Sequence, residues 1–337
     1  LSGLTSFDAL CGGGIPIGSI VIIEESSACN TGFLLSKYFL AEGVVSEQNL
    51  FVGSTFANQE NLVSLLPKPL ETGPDLDGAG ASAGSPAAEQ MPIAWRYKNL
   101  KQAKGDFEGE SSSMSHSFDL SKPMDPASVE SCSMDYFNPL LPESRPALEE
   151  ASSYRQCFKQ LREFLLSKST KTEDHQQKEK SKRKASRICL MNVGSPLWSG
   201  SVSDVCQFLY SVKCLVRSTD AACMISVATE SLSESELERV HCLSDYVFQC
   251  TSFSQDSRAK NPLFSDYDGT IRVVKMSAVN SVCPRIPETY DCVYAVKRKR
   301  MIIEKLHMPP DLSETASRSQ TDAMSCASNL QRAKLDF

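Results

Sequence analysis

Residues 18–43, GSIVIIEESSACNTGFLLSKYFLAEG, dictate much of what this chain can become. A glycine leads into an apolar run with no polar alternation, the pattern of a strand covered on both faces. A short polar loop follows. Phe33, Leu34, Lys37, Tyr38 and Ala41 then recur at helical spacing, predicting an amphipathic helix that ends at Gly43. Strand, loop and helix together form the frame of a P-loop. There, GxxxxGK[ST] supplies backbone N–H groups for phosphate, a lysine to neutralise it and a hydroxyl for magnesium. Aligned on the helix without gaps, the glycine, lysine and threonine positions fall on Thr31, Gly32 and Phe33. The loop has no lysine, and Phe33 offers magnesium nothing. Glu24 and Glu25 put negative charge where a triphosphate would approach. The second metal position belongs at the end of a later apolar strand. The matching run, RICLMNV, ends in Asn192 and Val193, and an amide lacks a carboxylate's charge. The expectation is a structural loop, with a backbone nest that holds an anion weakly as the alternative.

The alternation continues along the chain. Further strands are predicted at 48–53, 187–193, 221–227 and 246–250, and helices at 58–66, 154–166, 204–216 and 234–243. Three more strands, at 270–276, 293–296 and 301–306, follow with Asp268-Gly269 as a hairpin turn. The two prolines of HMPPDLS then end the sheet. This order predicts an α/β fold: a central, mostly parallel sheet flanked by helices, with C-terminal antiparallel strands. One domain is expected over residues 1–312, with a polar tail over 313–337. Long, mobile, disordered insertions are expected near 67–90, 98–150 and 167–187, which are rich in Gly, Ala, Ser, Pro and charge. MPIAWRY, residues 91–97, stands between the first two as an island of order, and SFDLSKPM interrupts the second.

A net charge of −6 means that any nucleic-acid contact must come from local patches. Two exist. Lys182, Arg183 and Lys184 lie in the third insertion, and Lys297, Arg298, Lys299 and Arg300 lie between the last two strands. Either suits phosphates; either suits a solvated loop, and the first also resembles a nuclear-import signal. The 13 cysteines are irregularly spaced without a CxxC pair, and the four histidines are scattered. Cys189 and Cys223 sit inside apolar runs, as reduced thiols serving as small core residues do, and no metal site is predicted. Trp198 follows a strand's C-terminal end, the edge where open α/β sheets hold ligands, but packing accounts for it as well. No apolar run approaches the roughly twenty residues of a membrane span.

GLTSFDALCGGGIPIGSIVIIEE resembles the opening of RecA/KaiC-type ATPase domains. LLSKYFLAEG, MPIAWRY, VGSPLW, NPLFSDYDGTIRV, KRKRMIIEKLHMPPDLS and the final LDF resemble, in that order, the PAXNEB family of Elongator accessory subunits. The resemblance implies a RecA-like fold without a conventional P-loop, no catalytic residue, and no cofactor in this chain; any ATP belongs to the assembled ring. It implies a heterohexameric ring with Elongator proteins 5 and 6, which joins the catalytic Elongator subcomplex and binds tRNA. Chemistry at carbon 5 of the wobble uridine belongs to the catalytic subunit. A cytoplasmic and also nuclear location follows, with no membrane partner. Ring closure through head-to-tail contacts would put residues 23–32 near a subunit boundary. Two other readings stay open: an autonomous RecA/KaiC-like ATPase, and an adaptor that only docks proteins.

Overall fold

The computed structural model describes residues 1–26, 28–55, 59–70, 116–141, 152–170, 184–255, 264–277, 279 and 286–305. In chain order the elements are α1 (Thr5–Leu10), β1 (Ile20–Glu25), α2 (Thr31–Val45), β2 (Asn49–Gly53), α3 (Gln59–Ser64) and β3 (Pro67–Pro69). Then come β4 (Phe118–Pro123), α4 (Pro126–Glu130), β5 (Met134–Phe137), α5 (Ser153–Thr170), β6 (Ser186–Val193) and α6 (Val202–Arg217). β7 (Ala221–Ala228), α7 (Glu234–Leu243), β8 (Tyr246–Ser252), β9 (Gly269–Lys275), β10 (Asp291–Val296) and β11 (Met301–Lys305) complete the series.

Nine strands form one sheet in the order β11-β10-β9-β8-β1-β7-β6-β2-β5. From β8 to β5 every pairing is parallel. From β8 to β11 every pairing is antiparallel. β1 lies inside the parallel part, with all six residues buried. Side chains of a strand alternate between faces, and β1 divides accordingly. Val21 and Ile23 pack with Phe7, Tyr38 and Phe39 under α1 and α2. Ile20 and Ile22 pack with Leu161, Phe208 and Val240 under α5, α6 and α7. A strand buried on both faces needs apolar residues at consecutive positions, and IVII supplies them.

Several expectations need correction. Residues 5–10 form a short helix, where no element was expected. α2 is not amphipathic: Tyr38, Phe39, Leu40 and Ala41 are buried in succession. Its outer side packs against a layer containing Phe118, Met124 and Val129, and the Tyr38 hydroxyl accepts from the Met301 N–H of β11 at 3.0 Å. The 98–150 stretch is ordered over 116–141. There β4 pairs with β3 in a two-stranded sheet, and β5 extends the main sheet parallel to β2. Pairing and burial from distant segments hold these short polar strands, so their own sequence carries little period. The other two stretches also carry ordered residues: β3 opens 67–90, while α5 runs to Thr170 and β6 begins at Ser186 within 167–187. Asp268-Gly269 is no two-residue hairpin, because Gly269 already pairs with Ser252 as the first residue of β9. A Cβ at Gly269 would lie 2.1 Å from the Thr251 carbonyl oxygen, so this close pairing requires glycine.

Residues 1–305 form one compact unit. No helix of the described residues is long and apolar enough to cross a membrane. Residues 91–97 with Trp95, Lys182, Arg183 and the tail over 313–337 lie outside the described residues.

Candidate functional site

The first N–H groups of a helix lack partners within it, and the backbone dipoles make that end attractive to anions. At the start of α2, Asn30 stands at the N-cap but its side chain makes no capping bond. The cap comes from the end of β1 instead. The Gly32 N–H donates to Glu25 Oε2 at 2.8 Å, and Glu25 is only 6% exposed. A carboxyl group of the chain itself therefore takes an N–H at the helix start that would otherwise be open to an anion. Gly32 makes the approach possible, since a Cβ there would lie 2.5 Å from Glu25 Oε1 and 2.7 Å from its Cδ. Burial pushes the Glu25 carboxyl up to about 7, against the opposing hydrogen bonds from Gly32 and Ser226.

Ser226 carries this arrangement to the second expected position. Its buried hydroxyl bonds to the Glu25 carboxyl and accepts from the Asn192 N–H at 2.9 Å. Asn192 has a φ of +55°, where the β6–β7 register breaks between Leu190 and Val193. Asparagine tolerates that left-handed conformation better than most residues. The group that Asn192 turns toward Ser226 is thus its backbone N–H. The position aligned with the P-loop lysine, Gly32, and the one expected at the second strand end, Asn192, are joined through one relay: Asn192, Ser226, Glu25, Gly32. The Thr229 hydroxyl, donating to the Glu25 carbonyl at 3.2 Å, ties down the same strand end.

Thr31 is buried, accepts from Cys29 Sγ at 3.1 Å and bonds to the Tyr294 hydroxyl of β10; burial raises that phenol above its ordinary value. Phe33 packs at the core margin, with the Lys37 ammonium 5.7 Å from its ring centre. Glu24 points to the opposite sheet face and bonds to His241 of α7. Both acidic residues expected to repel a triphosphate are therefore engaged internally. Sequence reasoning missed Glu25 as an acceptor; its only trace is a glutamate ending a buried strand and a glycine seven positions on.

The basic residues separate. Lys297, Arg298, Lys299 and Arg300 are exposed and form the turn between β10 and β11, closed by the Lys297 N–H to the Arg300 carbonyl at 2.9 Å. Because β10 runs parallel to β1, this turn lies on the same rim of the sheet as Glu25 and Gly32. Leu120 of β4 donates to the Lys299 carbonyl at 2.8 Å, and Lys122 and Lys299 both act on the Asp119 carboxyl. Lys184 instead precedes β6 on the opposite rim and pairs with Glu47 at 3.1 Å. Trp198 is packing: it is buried, donates from Nε1 to the Met191 carbonyl at 3.1 Å and stacks on Tyr154 with ring centres 5.3 Å apart.

The flagellar accessory protein FlaH of Methanocaldococcus jannaschii is 13% identical, with 88% of this chain and 94% of that chain covered; its TM-score of 0.46 is too low to bear on the site. The sheet itself, with its parallel core and C-terminal antiparallel extension, is the expected α/β architecture. Elongator complex protein 4 from Mus musculus is 33% identical over 94% of this chain and 78% of its own length. The Homo sapiens protein of that name is also 33% identical over the same shares, and that of Xenopus laevis is 30% identical over 98% and 84%. With the PAXNEB protein family model matching residues 1–337, the chain belongs to the PAXNEB family, among relatives of Elongator complex protein 4.

Proposed function

We propose that this chain is a non-catalytic RecA-like subunit of the Elongator complex, in which the nucleotide-binding frame serves assembly. One observation carries the reading: the Glu25 carboxyl occupies the Gly32 N–H at 2.8 Å. A triphosphate would have to displace a buried acid bonded to both Gly32 and Ser226. An autonomous ATPase needs that seat open and positively charged, so the arrangement argues against the ATPase reading. Any ATP turnover then belongs to the assembled ring.

In this reading the chain closes a heterohexameric ring with Elongator proteins 5 and 6, and its 23–32 rim meets a neighbouring subunit. The ring docks on the catalytic subcomplex and holds tRNA while that subcomplex modifies the wobble uridine at carbon 5, in the cytoplasm and also the nucleus. The Lys297–Arg300 turn, exposed on the sheet's ligand-bearing rim with Lys122 beside Asp119, is the proposed phosphate contact of the described residues. Lys182 and Arg183 are proposed as a further contact, with Lys184 at its end.

The test co-expresses the chain with its two partners, confirms the mixed hexamer by native mass spectrometry and measures tRNA affinity across salt. Reversing all four charges of 297–300 is expected to weaken binding at least tenfold and to flatten the slope of log affinity against log salt. An intact ring with unchanged affinity and slope would remove this turn from the tRNA site. Failure to form a mixed hexamer would remove the ring reading itself.

A further inference from the structure

The opposite rim, at the N-terminal ends of the parallel strands, holds an open concavity of about 400 Å³ lined in part by Lys213, Arg217, Asp245 and Lys275. Lys213 and Arg217 lie one turn apart on α6 and share a face. Asp245 precedes β8 and is 6% exposed. Its Oδ2 accepts from the Ile20 N–H at 2.9 Å, capping the start of β1. Its Oδ1 accepts from Arg217 Nη2 at 2.6 Å. Lys275, the last residue of β9, donates to the carbonyls of His241 and Ser244 at 2.6 and 2.8 Å, where α7 ends.

The fold accounts for much of this cluster. Asp245 secures a strand end, Arg217 balances Asp245, and Lys275 satisfies helix carbonyls. It does not account for Lys213, whose ammonium is 3.9 Å from Asp245 Oδ1, beyond hydrogen-bond reach. Three cationic groups face one carboxyl, so two positive charges remain over. The arrangement carries a cost: burial, and then repulsion by Lys213, hold the Lys275 ammonium below its ordinary value.

We propose that this concavity binds the dianionic phosphate of a phosphate monoester or of free inorganic phosphate. A dianion matches the two surplus charges. With Nη2 engaged by Asp245, the guanidinium still has N–H donors for phosphate oxygens. The Lys213 ammonium has three donors, and Lys275 retains one beyond its two carbonyls. The polar lining gives an apolar ligand little to pack against. Glu25 and Gly32 lie on the other rim, so this site is separate from the occupied phosphate seat.

Thermal unfolding of the full chain at constant ionic strength and pH 7.5 tests the proposal. Phosphate replacing chloride is expected to raise Tm by about 2 °C or more at tenfold saturation. Lys213→Gln, a partly exposed helix position, is expected to fold and to lose that rise. Phosphate strengthens burial non-specifically, and this part should persist in both proteins. Broadening of the inorganic phosphate ³¹P signal by wild type, but not by Lys213→Gln, gives a second readout independent of Tm. Adenosine monophosphate acting at tenfold lower concentration would identify a nucleotide's phosphate as the natural group; equal potency would identify free phosphate. A Tm rise and ³¹P broadening that are undiminished in Lys213→Gln would overturn the site, as would neither effect in wild type.

Discussion

Position 25 combines two demands that sequence patterns treat separately: it ends a buried strand, and it caps the helix that follows. Glu25 is a carboxyl whose folded value, about 7, lies above its ordinary 4.5. Between those values the folded state binds more protons than the unfolded chain, so stability falls as pH rises through the window and levels off above it. Glu25→Gln removes that titration. The stability of the Gln variant relative to wild type is expected to rise by about 3 kcal/mol between pH 4.5 and 7.5 in denaturant melts; a flat difference would deny the buried acid. Gly32→Ala is expected to cost about 1–3 kcal/mol, because its Cβ would meet the Glu25 carboxyl at 2.5 Å. The same change in a Glu25→Ala background is expected to cost measurably less, a coupling that a double-mutant cycle would read.

Among the elements, α2 joins the two halves of the sheet. Its N-terminus is tied to Glu25 of β1 and Tyr294 of β10, and its middle is tied to β11 through the Tyr38 hydroxyl. Tyr38→Phe leaves the Met301 N–H without that acceptor, and about 1–2 kcal/mol of stability should be lost. No measurable change in melting would show that the bond is dispensable. The strands of the parallel core were legible in the sequence because burial on both faces demands apolar runs such as IVII and ICLM. α1, β4 and β5 were not, since six or fewer residues give almost no period and distant partners hold them in place. The burial of α2 on nearly every side was hidden for a related reason. Its covering layer comes from residues 118–129, which read as part of an insertion.

Across the whole molecule, one sheet carries two rims with different character. The upper rim brings together Glu25, Gly32, Asn192 and the exposed Lys297–Arg300 turn; the lower rim carries the Asp245 cluster. The strand and helix that frame Thr31, Gly32 and Phe33, and the later strand that carries Asn192, were legible in the sequence. What fills the seat was not. Glu25 reads as a repelling charge until the folded chain aims its carboxyl at an N–H seven residues away, and Ser226 joins it only through strand pairing. The proposed ring subunit rests on this internally filled seat. The most direct measurement follows the Gly32 amide by NMR in the full chain, during a titration with magnesium ATP and during a pH titration. The account predicts a Gly32 resonance that moves with pH near 7, as Glu25 titrates, and stays still under ATP; a saturable shift on adding ATP would contradict it.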